Sequence, residues 1–148
     1  MHIPPPAFAL GAVLILYGTD KILPGLSIHP QGQWFVGLVC VVIGVAVAVI
    51  SVGKFHQEKT TISPVEPKAA TSLVTSGLYA YTRNPMYLGL AFCIAGIGIG
   101  LGSLLTLVVL PTFVWLITHI QISIEEVALE KCFGQAYRDY MKKVRRWI

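Results

Sequence analysis

The stretch of sequence that decides the fold covers residues 76–89 and reads SGLYAYTRNPMYLG. It combines one arginine, one asparagine, one proline, three tyrosines and two glycines, and it lies where a polar segment gives way to an apolar one. Polar groups at a membrane boundary need hydrogen-bond partners, because the hydrocarbon interior offers none. We therefore expect this stretch to form part of a site at the start of a membrane helix.

The composition of the chain is typical of an integral membrane protein. Its 148 residues are 55% hydrophobic and 12% charged, with a mean hydropathy of +0.71, whereas soluble domains are about 25% charged. The net charge of +4 is not concentrated in the dense basic patch that nucleic acids require. We therefore expect no nucleic-acid partner and a single membrane domain over residues 1–148.

Four apolar runs predict an all-α integral membrane protein with about four transmembrane helices in the lipid bilayer. The predicted spans are residues 5–23, 34–52, 86–102 and 103–122, and a bilayer crossing needs about 20 residues. Glycines at 89, 96, 98, 100 and 102 in the third span predict close helix packing, either within the chain or in a homodimer. Pro111 is expected to kink the fourth span.

The last part of the chain, residues 123–146, predicts an amphipathic helix at the cytoplasmic face. Apolar residues recur there at spacings of three and four, with charged residues between them. Gly134 inside this helix is expected to permit the close approach of some other group.

The basic residues predict the orientation. Four of them lie between the second and third spans and six follow the fourth. The positive-inside rule then places both groups, and both termini, in the cytoplasm. The first residues lack the Lys or Arg of a signal peptide, so the first run is expected to be retained as a membrane helix. The compact chain favours a prokaryotic inner membrane.

Glu125 and Glu126 directly follow the fourth span. Because the link between the third and fourth spans is very short, the two spans form a helical hairpin that brings Arg83 and Tyr87 near the glutamates. Either the glutamates close the fourth helix at the water surface, with Arg83 as a partner, or one carboxylate binds a cationic ligand group. Both interpretations are open.

Asn84 and Pro85 also leave two interpretations. Proline disfavours helical geometry at the preceding residue, so nearby carbonyls would lack helical partners and could serve a ligand. Alternatively, Pro85 only begins the third helix. Tyr79, Tyr81 and Tyr87 fit either a ligand site or an interfacial aromatic belt. The cysteines and histidines lack metal-ligand spacing, so we expect no metal site.

The segments LVTSGLY at residues 73–79 and RNPMYLG at 83–89 resemble the core motif of isoprenylcysteine carboxyl methyltransferases and related phospholipid methyltransferases. The paired glutamates and the later VRR at residues 144–146 are similar to that family's C-terminal signature. The resemblance covers roughly residues 54–148. It implies a membrane-embedded enzyme that transfers a methyl group from S-adenosylmethionine to a lipophilic or small acceptor, with the cofactor enclosed by the C-terminal helix.

The resemblance also implies roles for individual residues. Arg83 and Glu126 are the implied catalytic residues, and Gln121 is the implied substrate contact. The implied cofactor-binding residues are Thr71, Ser72, Leu73, Val74, Gly77, Tyr79, Asn84, Pro85, Met86, Tyr87 and Glu125. Carboxylates and aromatic faces suit the cationic groups of S-adenosylmethionine through charge pairing and cation–π attraction.

Two positions depart from the family's pattern. Histidine is commonest where this chain has Asn84, and asparagine cannot be protonated, so no catalytic histidine is expected there. Members that act on prenylcysteine carboxylates tend to have an arginine where Gln121 stands. The identity of the methyl acceptor therefore stays open.

Two other functions compete with methyl transfer. An NADPH-dependent membrane lipid reductase could share the C-terminal pattern, but the cofactor's phosphates would need more basic residues near the site than Arg83 alone. A small four-helix transporter would carry an ionisable residue in mid-span, whereas His119 lies towards one end of its span.

Overall fold

The computed structural model describes residues 4–58 and 72–148, and that part of the chain contains helices and no β-strand. Thr71, one of the implied cofactor-binding residues, lies outside the described residues. The α-helices in chain order are α1 (Pro5–Ile22), α2 (Gln33–Gln57), α3 (Pro85–Leu101), α4 (Thr106–Ile117), α5 (Ser123–Phe133) and α6 (Gln135–Lys143). Short 3-10 turns occupy Pro24–Leu26 and Gly77–Ala80.

Among the described helices, two are long and apolar enough to cross a membrane. One is α2, with 25 residues, and the other is the continuous helical run Thr106–Phe133, with 28 residues. The apolar helix α3 has 17 residues, and α1 has 18 residues with Asp20 and Lys21 near its end. The architecture is consistent with an integral membrane helical protein, and the number of crossings stays a prediction.

The helix α5 begins at Ser123, where the sequence predicted the C-terminal helix to start, but it follows the preceding helix without a break. The chain stays helical from Thr106 to Phe133 and passes through a π-helical turn at Thr118–Ile122. No glycine or proline occurs between Pro111 and Gly134 to end the helix. The π-helical turn directly follows α4, and the Ser123 hydroxyl donates a hydrogen bond to the carbonyl of Thr118 there at 2.7 Å.

Gly134 interrupts the predicted C-terminal helix and separates α5 from α6. Its φ of 55° and ψ of −122° lie in a region that L side chains rarely adopt. A Cβ at Gly134 would meet no heavy atom of the described residues within 4 Å, so none of these residues makes the close approach that the sequence suggested. Gly134 therefore forms the turn between α5 and α6. The helix α6 ends at Lys143, whereas the sequence predicted helix to residue 146.

The close helix packing predicted for the third span occurs within the chain, between α2 and α3. A Cβ on Gly37 would lie 2.5 Å from the carbonyl oxygen of Gly96, and one on Gly44 would lie 2.6 Å from that of Gly89. These distances are too short for any side chain, so the two backbones are in direct contact. Gly89 and Gly96 are therefore occupied by α2 and not available to a homodimer.

Two buried clusters organise the rest of the molecule. The larger joins α1, α3, α4 and the π-helical turn through the buried side chains of Leu16, Ile94, Ile117 and Ile122. The smaller surrounds Tyr137 on α6. At one end, the Ile28 amide donates to the Gly102 carbonyl at 2.8 Å and joins the two interhelical connections. The start of α3 and the paired glutamates lie at the opposite end.

Candidate active site

The start of α3 is fixed by Asn84 and Pro85. Asn84 has a non-helical φ of −130°, and Pro85 occupies the first turn, where its missing amide proton costs no hydrogen bond. The Asn84 carbonyl accepts a hydrogen bond from the Leu88 amide at 3.0 Å. This carbonyl already has a helical partner, which supports the interpretation that Pro85 begins the helix.

Glu126 binds two arginines that are far apart in the sequence. Its Oε1 lies 3.1 Å from Nη1 of Arg83 and accepts a hydrogen bond from Nε of Arg146 at 2.9 Å. Its Oε2 accepts from Nη2 of Arg146 at 2.5 Å, so the Arg146 contact is bidentate. The side chains of Arg83 and Glu126 are only 11% and 15% exposed. The predicted pairing of Arg83 with a glutamate is confirmed, whereas Arg146 was not predicted as a partner.

Glu125 is held by a different set of partners. Tyr87 Oη donates to Glu125 Oε1 at 2.5 Å, and Gln121 Nε2 donates to the same oxygen at 2.7 Å. Tyr87 comes from α3, Gln121 from the π-helical turn and Glu125 from α5. The hairpin therefore brings Tyr87 to Glu125 as the sequence predicted, and it gives Gln121 a contact with the implied cofactor residue.

The residues 145–147, which we name the C-terminal strap, lie across the start of α3. The Arg83 amide donates to the Arg145 carbonyl at 3.0 Å. The side chains of Thr82 and Asn84 donate to the Arg146 carbonyl at 3.2 and 2.9 Å. Asn84 thus anchors the strap through its side chain, while its implied contact with the cofactor stays a prediction.

The last residue of the strap, Trp147, contacts the π-helical turn. Its ring Nε1 donates to the Thr118 hydroxyl at 3.1 Å. The strap therefore connects the start of α3, the carboxylate of Glu126 and the helical run that carries both glutamates. The sequence alone does not predict these strap contacts, because basic residues near the end of the chain are equally consistent with a solvent-exposed surface.

The tyrosines near the site are buried, with one exception. Tyr140 Oη donates to the Tyr79 carbonyl at 2.6 Å, and the Tyr79 ring packs edge-on against Phe55 with centroids 5.4 Å apart. Burial is the main cause that raises the pKa of Tyr137 to about 12 and the pKa of Tyr79 well above its usual value. These two phenols therefore stay protonated, whereas Tyr81 is 79% exposed and fits an interfacial position.

The implied cofactor residues before α3 lie around the turn Gly77–Ala80. Val74 is buried, and Leu73 packs against the cluster around Tyr137. The Ser72 hydroxyl is buried and finds no hydrogen-bond partner among the residues that the structure describes. Gly77 has a φ of +65°, and a Cβ there would meet no atom of the described residues within 4 Å. Met86 is partly buried in the first turn of α3.

Comparison with known proteins points to one family. The profile of the phospholipid methyltransferase family matches residues 33–136. This region runs from the start of α2 to the start of α6 and contains the RNPMYLG segment, Gln121 and both glutamates. The C-terminal strap lies outside it.

Several curated relatives, among them the three that follow, carry the name protein-S-isoprenylcysteine O-methyltransferase. The protein from Schizosaccharomyces pombe is 36% identical over 72 residues, which cover 49% of this chain and 30% of the relative. The protein from Dictyostelium discoideum is 29% identical over 118 residues, covering 80% and 50%. Form A from Arabidopsis thaliana is 30% identical over 145 residues, covering 93% and 70%. The chain spans at most half the length of the first two relatives.

Proposed function

Because this chain belongs to the phospholipid methyltransferase family, we propose that it is a membrane-embedded methyltransferase that uses S-adenosylmethionine to methylate a lipophilic or small acceptor. The observation that carries this proposal is the convergence of Tyr87, Gln121 and Glu125 beside the arginine-paired Glu126. These groups come from three separate segments, and all lie within the region that matches the family. The names of the relatives support the same reaction class.

The residues around this convergence fit S-adenosylmethionine. When bound, the cofactor supplies a methyl group on a sulfonium, next to an ammonium and a carboxylate. Glu125 offers a carboxylate to the cationic part, and the buried Ser72 hydroxyl offers a donor and an acceptor that the described residues do not use.

Methyl transfer is a displacement that depends on placing the nucleophile in line with the methyl group. The buried tyrosines do not act as bases, because their raised pKa values keep Tyr79 and Tyr137 protonated near neutral pH. We assign Arg83 and Glu126 a positioning role instead of proton transfer, since each already bonds to a charged partner. Together with Arg146 they fix the relation between α3, α5 and the strap.

In the proposed topology, α1, α2, α3 and the run Thr106–Phe133 all cross the membrane. At a rise of about 1.5 Å per residue, the 17 residues of α3 reach about 26 Å, close to the roughly 30 Å hydrocarbon core. The basic residues on α5, α6 and the strap favour a cytoplasmic site with both termini on that side. A prokaryotic inner membrane and a homodimer remain predictions from the sequence.

Ligand binding tests the proposal directly. The purified chain in detergent would be titrated with S-adenosylmethionine, S-adenosylhomocysteine and NADPH while thermal unfolding is followed. We expect both S-adenosyl compounds to raise the unfolding temperature, because they bind the native state selectively. No response to either compound would rule out the methyltransferase. Stabilisation by NADPH alone would favour the reductase.

A further inference from the structure

The outer side of the C-terminal strap and of the end of α6 carries basic residues to which the proposed function assigns no role. Val144 is buried and has an extended backbone, with a φ of −122° and a ψ of 130°. Lys143 and Arg145 are exposed on either side of it, as expected where successive side chains point to opposite faces. Arg146 turns back inward and binds Glu126. The two neighbouring arginines therefore face different environments.

The exposed positive charge on this outer side has no ion-pair partner among the residues that the structure describes. Each of four described carboxylates at this end already pairs with a lysine or arginine at 3.1–3.4 Å, namely those of Glu58, Glu126, Glu130 and Asp139. A hydrogen bond from Lys142 lowers the pKa of Asp139 most, and the charge of Lys143 lowers it further without forming an ion pair. Neither Lys143 nor Arg145 pairs with a described carboxylate, so both can accept a counter-ion from outside.

The strap lies level with the start of α3. The Arg83 amide donates to the Arg145 carbonyl at 3.0 Å, and Arg83 lies two positions before Pro85, the first residue of α3. In the proposed topology α3 enters the hydrocarbon layer at that point, so Arg145 lies at the depth of the lipid headgroups. Tyr81 and Ile148, in the same two segments, are largely exposed, and tyrosine is enriched at this depth of a membrane.

We propose that Lys143 and Arg145 bind the phosphate of an anionic phospholipid at the membrane surface beside the strap. A negatively charged headgroup supplies the counter-charge, and the planar N–H fork of arginine matches a phosphate. A soluble acidic partner would use the charge but not the exposed Tyr81 and Ile148, so these two side chains favour the lipid.

This lipid surface is separate from the candidate active site. The paired glutamates and Arg146 lie on the inner side of the strap, whereas Lys143 and Arg145 lie on its outer side. The bound lipid is therefore a partner of the strap and not the methyl acceptor. The inference uses the proposed topology and goes beyond the proposed reaction.

A lipid bound at Arg145 would stabilise the closed strap. The Arg145 carbonyl is bonded to the Arg83 amide, and the next residue holds Glu126 through two hydrogen bonds. A ligand that binds the native state selectively raises its stability. We therefore expect phosphatidylglycerol to raise the unfolding temperature of the detergent-solubilised chain more than phosphatidylcholine with the same acyl chains does.

Native mass spectrometry of the full chain in detergent, titrated with each of these two lipids, tests the proposal. The wild type should bind phosphatidylglycerol more tightly than phosphatidylcholine. Lys143→Gln and Arg145→Gln should each weaken phosphatidylglycerol binding about fivefold, which corresponds to about 1 kcal/mol per basic residue at an anionic surface. Neither variant should change phosphatidylcholine binding. Arg145→Lys keeps the charge and should retain most of the preference.

Lys21→Gln provides the comparison variant. It removes the same charge from an exposed position at the opposite end of the molecule, and it should leave phosphatidylglycerol binding unchanged. Glutamine at position 145 keeps the backbone carbonyl that Arg83 bonds. Unfolding temperatures of Arg145→Gln and the wild type should therefore agree in neutral detergent without added lipid.

Three outcomes would overturn the proposal. These are equal wild-type affinities for the two lipids, an equal loss in Lys21→Gln and Arg145→Gln, and displacement of phosphatidylglycerol by excess inorganic phosphate, which would assign the surface to free anions. S-adenosylhomocysteine binding is measured on the same samples. Its absence from the wild type would count against the methyltransferase, whereas the lipid preference tests the strap surface alone.

Discussion

Two arginines converge on Glu126 from distant parts of the chain, and Glu125 next to it bonds Tyr87 and Gln121. Adjacent helical positions point about 100° apart, so the two carboxylates meet separate partners and can serve separate purposes. Glu126 joins charged side chains of α3 and the strap. Glu125 is oriented by two neutral donors and faces the implied cofactor residues. We therefore expect the two glutamates to respond differently to substitution.

Replacing Glu126 should destabilise the fold. Glu126→Gln leaves Arg83 and Arg146 without their carboxylate partner, and breaking a buried ion pair costs about 3–5 kcal/mol. Because the Arg146 side chain is 38% exposed, we expect the free energy of unfolding to fall by about 2–3 kcal/mol. Thermal and denaturant unfolding in detergent would measure the change.

Glu130→Gln is the matched control for that prediction. Glu130 also pairs with an arginine, Arg138, at 3.1 Å, but the two side chains are 43% and 47% exposed. Exposed ion pairs contribute about 0.2–1 kcal/mol. Equal losses in the two variants would mean that Glu126 is not the buried junction described above.

Replacing Tyr87 should weaken cofactor binding. Tyr87→Phe removes the donor that orients Glu125, and a hydrogen bond to a charged group contributes about 1.5–3 kcal/mol. We expect the affinity for S-adenosylhomocysteine to fall about tenfold or more, as measured by isothermal titration calorimetry. Tyr81→Phe, at a position that is 79% exposed, should leave the affinity unchanged. A similar loss in both variants would contradict the assignment of Tyr87.

At the scale of elements, the geometry of the site depends most on the helical run Thr106–Phe133 and on the packing of α2 against α3. The run carries Gln121, Glu125 and Glu126 out of the apolar layer without a break, and its π-helical turn lies directly before them. Such turns occur frequently at functional sites. The contact between α2 and α3 fixes α3, whose first turn supplies Tyr87. The geometry of the site therefore depends on helix packing some distance away.

Overpacking the α2–α3 contact should destabilise the protein. A Cβ on Gly44 would lie 2.6 Å from the carbonyl oxygen of Gly89, and backbone cannot move aside as a flexible side chain can. Gly44→Ala is expected to cost about 1–3 kcal/mol in the free energy of unfolding. Gly100→Ala on α3 meets no atom within 4 Å and should be neutral, or stabilising by up to about 1 kcal/mol. Stability loss in Gly100→Ala alone would refute this packing.

At the scale of the whole molecule, the two ends of the helical assembly differ in chemistry. One end joins the interhelical connections through backbone hydrogen bonds, including the Ile28–Gly102 pair. The other end gathers the paired glutamates, the buried tyrosines and the strap with its basic neighbours. Basic residues are concentrated at this second end, and the positive-inside rule predicts that such an end faces the cytoplasm.

Reporter insertion would test the proposed topology of four crossings. Green fluorescent protein fused after Ile148 should fluoresce, because it folds in the cytoplasm. Alkaline phosphatase inserted between Pro30 and Gln31, which are both exposed in the connection between α1 and α2, should be active on the opposite side. Active phosphatase fused after Ile148 would reverse the orientation. Active phosphatase at both positions would exclude an odd number of crossings between them, and with it the proposed topology.

The sequence by itself determined the helical class, the membrane-protein composition, the family motif and the meeting of Tyr87 and Arg83 with the two glutamates. These follow from local hydrophobic patterning and from one short connection, which forces α3 and α4 into a hairpin. The sequence also placed the starts of α1 and α3 within a residue, because prolines mark them.

Only the tertiary structure decided which partners the polar side chains of the site contact. It paired Arg146 with Glu126, placed the Asn84 amide on the Arg146 carbonyl and put Gln121 on Glu125. It also carried the fourth helix through to Phe133 and opened an apolar groove between α1 and α4, beside Gly11. The Asn84–Arg146 contact joins residues 62 positions apart and the Arg146–Glu126 pair joins residues 20 apart, and the groove depends on how helices pack side by side. Hydrophobic periodicity and local turn chemistry contain no information about either.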